Sequence, residues 1–241
     1  MPPDRVGKIP GAPADPRPWW FCALLTPVLA WSLVRPHDYF TWFLEVVPVL
    51  IGVPLMLALW RRFPLSTLLL VLLWFHCVIL IFGGHYTYAR VPLGEWAKAW
   101  FGWSRNNYDK LGHFAQGFVP AILAREILLR TSPLGGGGIR SLDAPAADGL
   151  APGAGSGKPS RWLPFLCGCV CLAFSAAYEL FEWLTAVTSG SSADDFLGTQ
   201  GDPWDTQTDM AMALVGAVCA LTLLVRWHDR SLARLRPARR G

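Results

Sequence analysis

Two apolar runs near the start of the chain constrain it most. Thr41–Trp60 carries one charge, Glu45, and the tight basic turn Arg61-Arg62-Phe63-Pro64 separates it from Leu65–Phe82, which has no Asp, Glu, Lys or Arg. About 20 apolar residues at 1.5 Å per residue match the hydrocarbon thickness of a bilayer. Another run, Trp19–Val34, precedes them, and further runs follow at Tyr108–Leu129, Trp162–Val187 and Gln207–Trp227. Only 16% of residues are charged, against about 25% in soluble domains, and they are bunched between the runs. The chain therefore reads as an all-α, polytopic membrane helical bundle of about six transmembrane helices.

The remaining segments divide the chain around these helices. Residues 1–18 read as a disordered tail, 19–130 as membrane helices one to four, and 131–161, with Gly135 to Gly138 in a row, as a flexible linker. Residues 162–227 hold helices five and six, and 228–241 form a basic tail. In the loop Gly83–Asn107, the aromatic residues between Trp96 and Trp103 suit a short helix lying in the membrane interface. With both ends on one side, 16 of the 21 Lys and Arg fall on the side of the termini. That bias places the N- and C-termini and the linker in the cytoplasm. A net charge of +4 with no basic helix excludes nucleic acid as a partner. The six cysteines all lie in apolar runs, and Cys167-x-Cys169-x-Cys171 lacks metal-ligand spacing, so they read as small packing residues.

The acids run the other way: 11 of 17 fall outside, although acids contribute little to topology. Asp109, His113 and Gln116 stand at i, i+4 and i+7 and share one helical face. His113 lies about 6 Å below Asp109. Glu179 and Glu182 lie about 12 and 8 Å below the outer end of the fifth helix. Asp205 and Asp209 open the sixth, Glu45 starts the second, and His85 ends the third. Five helices thus direct ionisable residues to the outer half of the membrane, where such groups are expensive and are functional by default.

Glu179 and Glu182 cannot both stay charged there uncompensated: one keeps a proton, or a cation lies between them. Lys110 points about 100° away from Asp109 and reads as snorkelling to the surface. His76, beside Cys77, reads as a helix–helix hydrogen-bond donor. Asp205 or Thr206 also suits the cap of the sixth helix. The candidate site is thus Asp109, His113, Glu179, Glu182, Asp205 and Asp209, with His113, Glu179, Glu182 and Asp209 as the ligands a divalent cation would use.

Three stretches carry a family resemblance: Asp109-Lys110-Leu111-Gly112-His113-Phe114, Tyr178-Glu179-Leu180-Phe181-Glu182-Trp183, and Gly201-Asp202-Pro203-Trp204-Asp205-Thr206-Gln207-Thr208-Asp209-Met210. Together they resemble the YjdF-like family of bacterial inner-membrane proteins, over roughly Trp42 to Val225. The resemblance implies a bacterial inner membrane and leaves the reaction open. A more distant likeness to VanZ-like membrane proteins lies in the same Asp-Lys opening and the acid before the last span. The reading that follows is a periplasmic-side site, surrounded by membrane lipids, acting on an envelope or lipid-linked substrate. The alternatives are a small ion- or proton-coupled transporter and a non-catalytic assembly factor using the aromatic loop.

Overall fold

A computed structural model describes residues 15–135, 158–189 and 200–235. These residues form helices α1 (Arg17–Ser32), α2 (Tyr39–Leu59), α3 (Thr67–Tyr86), α4 (Pro92–Phe101), α5 (Tyr108–Thr131), α6 (Trp162–Ser189), α7 (Asp205–Leu223) and α8 (Val225–Ala233), with short 3-10 turns at Tyr88–Arg90 and Pro133–Gly135. Among the described residues there is no strand. Most of the expected N-terminal tail, most of the linker, residues 190–199 and the end of the basic tail lie outside the described residues.

Four helices, α2, α3, α6 and α7, are long and apolar enough to cross a membrane. Their outward faces carry large apolar side chains such as Ile51, Phe75, Phe174, Leu184 and Val218, all more than a third exposed. A surface of this kind is stable against lipid and not against water. The other two expected spans differ for separate reasons. Helix α1 has 16 residues, which reach about 24 Å. Helix α5 has 24 but carries Asp109, Lys110, His113, Arg125, Glu126 and Arg130. It packs against α3, α6 and α7, so neighbouring helices rather than lipid cover its polar groups. The expected sixth run is divided, with α7 ending at Leu223 and α8 starting at Val225.

Helices α5 and α7 are in backbone contact. A Cβ at Gly117 would lie 1.7 Å from the Ala213 carbonyl oxygen, and one at Gly216 would lie 2.1 Å from the Phe114 carbonyl oxygen. Small residues permit this approach where there is no hydrophobic force between helices in lipid. The crossing sets Asp109 and His113, about two and one turns before Gly117, opposite Asp205 and Asp209, about three and two turns before Gly216.

The far end of α5 is fastened by a closed polar network. Fully buried Glu126 accepts from the Ser66 backbone N–H (3.0 Å), from Arg130 Nη1 (2.9 Å) and from His228 Nε2 (3.0 Å). Arg125 Nη1 lies 2.7 Å from His228 Nδ1. A guanidinium can only donate, so Nδ1 accepts and the ring proton sits on Nε2. Arg125 also pairs with Asp229 at 2.7 Å. Helix α8, part of what reads from sequence as a basic tail, is thereby docked on α3 and α5.

Gly117→Val is expected to lower stability by more than about 3 kcal/mol, because no side-chain rotamer avoids the Ala213 backbone. Gly52→Ala, where an added Cβ meets nothing within 4 Å, is expected to be neutral or to stabilise by up to about 1 kcal/mol. Thermal unfolding of both variants in detergent checks the pair; equal midpoints would rule out the close crossing.

Candidate functional site

The α5–α7 crossing places a row of ion pairs at one end of the bundle. Arg105 Nη1 donates to Asp202 Oδ2 (3.1 Å) and Asp205 Oδ1 (2.6 Å). Lys110 Nζ donates to Asp205 Oδ1 (2.6 Å) and Asp209 Oδ1 (2.8 Å). Burial works against the charge on Arg105, but the hydrogen bond and attraction of Asp205 outweigh it and raise its pKa above the ordinary value. Lys110 is therefore not a snorkelling side chain. Pointing away from Asp109 turns it toward α7, which covers that side of α5. Nor is Asp205 the cap of α7: that position is Trp204, and Asp205 in the first turn receives the two cations.

Deeper along α5, His113 is 4% exposed and lies between two acids. Its Nε2 is 3.4 Å from Asp109 Oδ1 and 3.6 Å from Glu179 Oε1. Two buried atoms here have no hydrogen-bond partner, His113 Nδ1 and Glu179 Oε1. Buried polar atoms of this sort are uncommon in native structures and call for a ligand, an ion or water. Asp109, His113 and Asp209 each offer one ligand atom within 4.8 Å of the others. Ligands about 2.0–2.2 Å from a shared ion span similar distances. The close set thus contains Asp109, with Glu179 beside it, where the sequence suggests Glu179 and Glu182.

Glu182 belongs to the wall of an adjoining cavity of about 80 Å³, lined by Glu45, His76, Tyr88, Asp109, His113, Gln116, Tyr178 and Glu182 together with Pro48, Leu80 and Gly112. Glu45 is buried and accepts from the Tyr178 hydroxyl at 3.0 Å. The Tyr88 ring is held between two glycines. A Cβ at Gly83 would lie 2.3 Å from its Cε2, and one at Gly112 would lie 2.7 Å from its Cε1. Tyr88 and Tyr178 are missed by a search for charge, although Tyr178 directly precedes Glu179. His76 is part of the cavity lining, and its buried Nε2 has no hydrogen-bond partner. His85 stands apart: its Nδ1 is 3.0 Å from the Ser32 carbonyl oxygen and its ring packs on Trp31.

Fully buried Asn106 holds the mouth together. Its Nδ2 donates to the Val91 carbonyl (3.1 Å) and Glu95 Oε1 (3.0 Å), and its Oδ1 accepts from the Tyr108 N–H (3.0 Å). Its backbone exchanges hydrogen bonds with the Gln200 side chain at 3.0 and 2.8 Å. Gly94 makes room, since a Cβ there would fall 1.7 Å from Asn106 Oδ1. Helix α4, with Trp96 and Trp100 exposed, is thus tied to the start of α5.

Comparison with known proteins gives two matches. The family model described as "Predicted membrane protein (DUF2238)" matches residues 17–230. Inner membrane protein YjdF of Escherichia coli (strain K12) is 48% identical over 210 residues, covering 87% of this chain and 90% of that protein. No solved structure matches.

Lys110→Met is expected to cost about 3–5 kcal/mol, because it removes the ammonium that buried Asp205 and Asp209 share. Adding Asp209→Asn to Lys110→Met should recover part of that loss. Thermal unfolding of the two single variants and the double variant checks this; strictly additive losses would mean that the pair does not couple.

Proposed function

The chain belongs to the DUF2238 family of membrane proteins, and from its polar site we propose that it binds a divalent cation through Asp109, His113 and Asp209. In this reading the cation holds the anionic group of an envelope or lipid-linked substrate. Glu179 stands beside the ion as a fourth donor or as a base. Asp205, held by Arg105 and Lys110, keeps α7 and therefore Asp209 in place. In this reading the site end of the bundle is periplasmic and both termini are cytoplasmic, an orientation that the positive-inside distribution of Lys and Arg supports.

One observation carries the reading: donor atoms from α5 and α7 converge within 4.8 Å beside a buried carboxylate oxygen that has no partner. Charge supports it. Arg105 and Lys110 face three carboxylates, Asp202, Asp205 and Asp209. His113 lies between Asp109 and Glu179. Among the described residues, no Lys or Arg lines the cavity that Glu45 and Glu182 share. A low-dielectric site with this excess of acid is stabilised by added positive charge.

The expected result is close to one equivalent of a divalent cation in protein purified in detergent without chelator. Elemental analysis should find it lost in Asp209→Asn and in His113→Ala and kept in Asp202→Asn. Chelation should lower the unfolding midpoint of the wild type and leave Asp209→Asn unmoved. Wild type and Asp209→Asn with the same metal content would remove the basis of the reading.

A further inference from the structure

The cavity beside the ion cluster has a character of its own. Its wall is rich in hydrogen-bond acceptors and in carboxyl groups. Among the described residues, three carboxyl groups line it, from Glu45, Asp109 and Glu182, and no Lys or Arg does. The Tyr178 hydroxyl is already committed to Glu45 at 3.0 Å. Two lining imidazoles, His76 and His113, each keep one buried ring nitrogen without a partner, and His113 is 4% exposed. A ligand that answers these groups brings several N–H or O–H donors, and a positively charged one compensates the carboxylates when they are ionised.

The spacing of the groups argues against a second metal ion. Among the described residues, the ligand atoms close enough to share an ion are those of Asp109, His113 and Asp209. Glu45 and Glu182 form no such set. An ammonium group bonds carboxylates at about 2.7–2.9 Å from nitrogen. It therefore spans a wider ring of acceptors than a metal ion with ligands at about 2.0–2.2 Å. It also offers three donors and no acceptor. Tyr88 and Tyr178 add aromatic rings, which attract organic cations, and Pro48 and Leu80 give apolar wall for methylene groups.

We infer that this cavity is an ammonium site, taking the amine end of a ligand whose anionic group meets the Asp109–His113–Asp209 cluster. The inference rests on the cation-site reading for the anionic half and on the cavity alone for the amine half. The ligand class is a zwitterion with amine and anion a few bonds apart, such as a phosphoethanolamine. Both a lipid headgroup and a soluble compound carry that chemistry.

The test uses the full chain in two formats. In detergent it is titrated with O-phosphoethanolamine, ethanolamine and inorganic phosphate, with thermal shift as the readout. In nanodiscs, phosphatidylethanolamine is compared with phosphatidylglycerol, with retained lipid measured by mass spectrometry. Metal content is measured on every sample. The expected result is at least a tenfold preference for amine-bearing probes over phosphate or phosphatidylglycerol. Glu45→Gln should reduce that preference at least tenfold with metal content unchanged. Glu182→Gln, at the less buried carboxylate, should do the same and serves if Glu45→Gln fails to fold. Preference for phosphatidylethanolamine assigns a lipid, and preference for O-phosphoethanolamine alone assigns a soluble ligand; both support the site. Amine preference in protein without metal supports the cavity and overturns only the cation-site reading. Equal binding of amine and non-amine probes, or displacement of the amine by equimolar sodium, overturns the ammonium site.

Discussion

Backbone contact between α5 and α7 is the constraint on which the polar end of this molecule depends. Gly117 and Gly216 bring the two helices together so closely that each carbonyl ridge occupies the place of a missing side chain. In lipid, where apolar side chains have nothing to gain by leaving their solvent, packing of this kind holds helices in place. It fixes which charges meet. Lys110 reaches two acids of α7, and Asp109 and His113 face Asp209, because the helices cannot slide without backbone collision. The ion pairs are a consequence of the crossing more than its cause, since removing charges from water offsets most of what pairing returns.

The two ends of α5 show what distinguishes a fastening from a site. At one end Glu126 has three donors, His228 has a partner on each ring nitrogen, and α8 is sealed on. At the other, His113 Nδ1 and Glu179 Oε1 are equally buried and lack partners, next to a cavity. Both ends are charged and both are enclosed. Only the second leaves hydrogen-bonding capacity for something that is not part of the chain.

Hydropathy reveals α2, α3 and α6 because their apolar surface faces lipid, so composition and environment report the same fact. It is weaker for α5, whose partners are helices and whose polar residues are answered at long sequence separation. The shared face of Asp109, His113 and Gln116 follows from helical periodicity, and all three line the cavity. The direction of Lys110 is legible too, but its meaning is not, because periodicity says which way a side chain points and not what stands there. Tyr88 shows the same limit. Its place depends on Gly83 and Gly112 from two helices, and neither glycine announces itself alone. The docking of α8 through His228 looks, in sequence, like one more residue in a basic tail.

Asn106 joins the surface to the interior by short bonds only. One side chain holds α4 by its backbone and by Glu95, and holds the first turn of α5 by the Tyr108 N–H. Asp109 lies three residues further on. A displacement of the tryptophan-bearing helix is therefore transmitted to the carboxylate with little slack, as along a rigid lever.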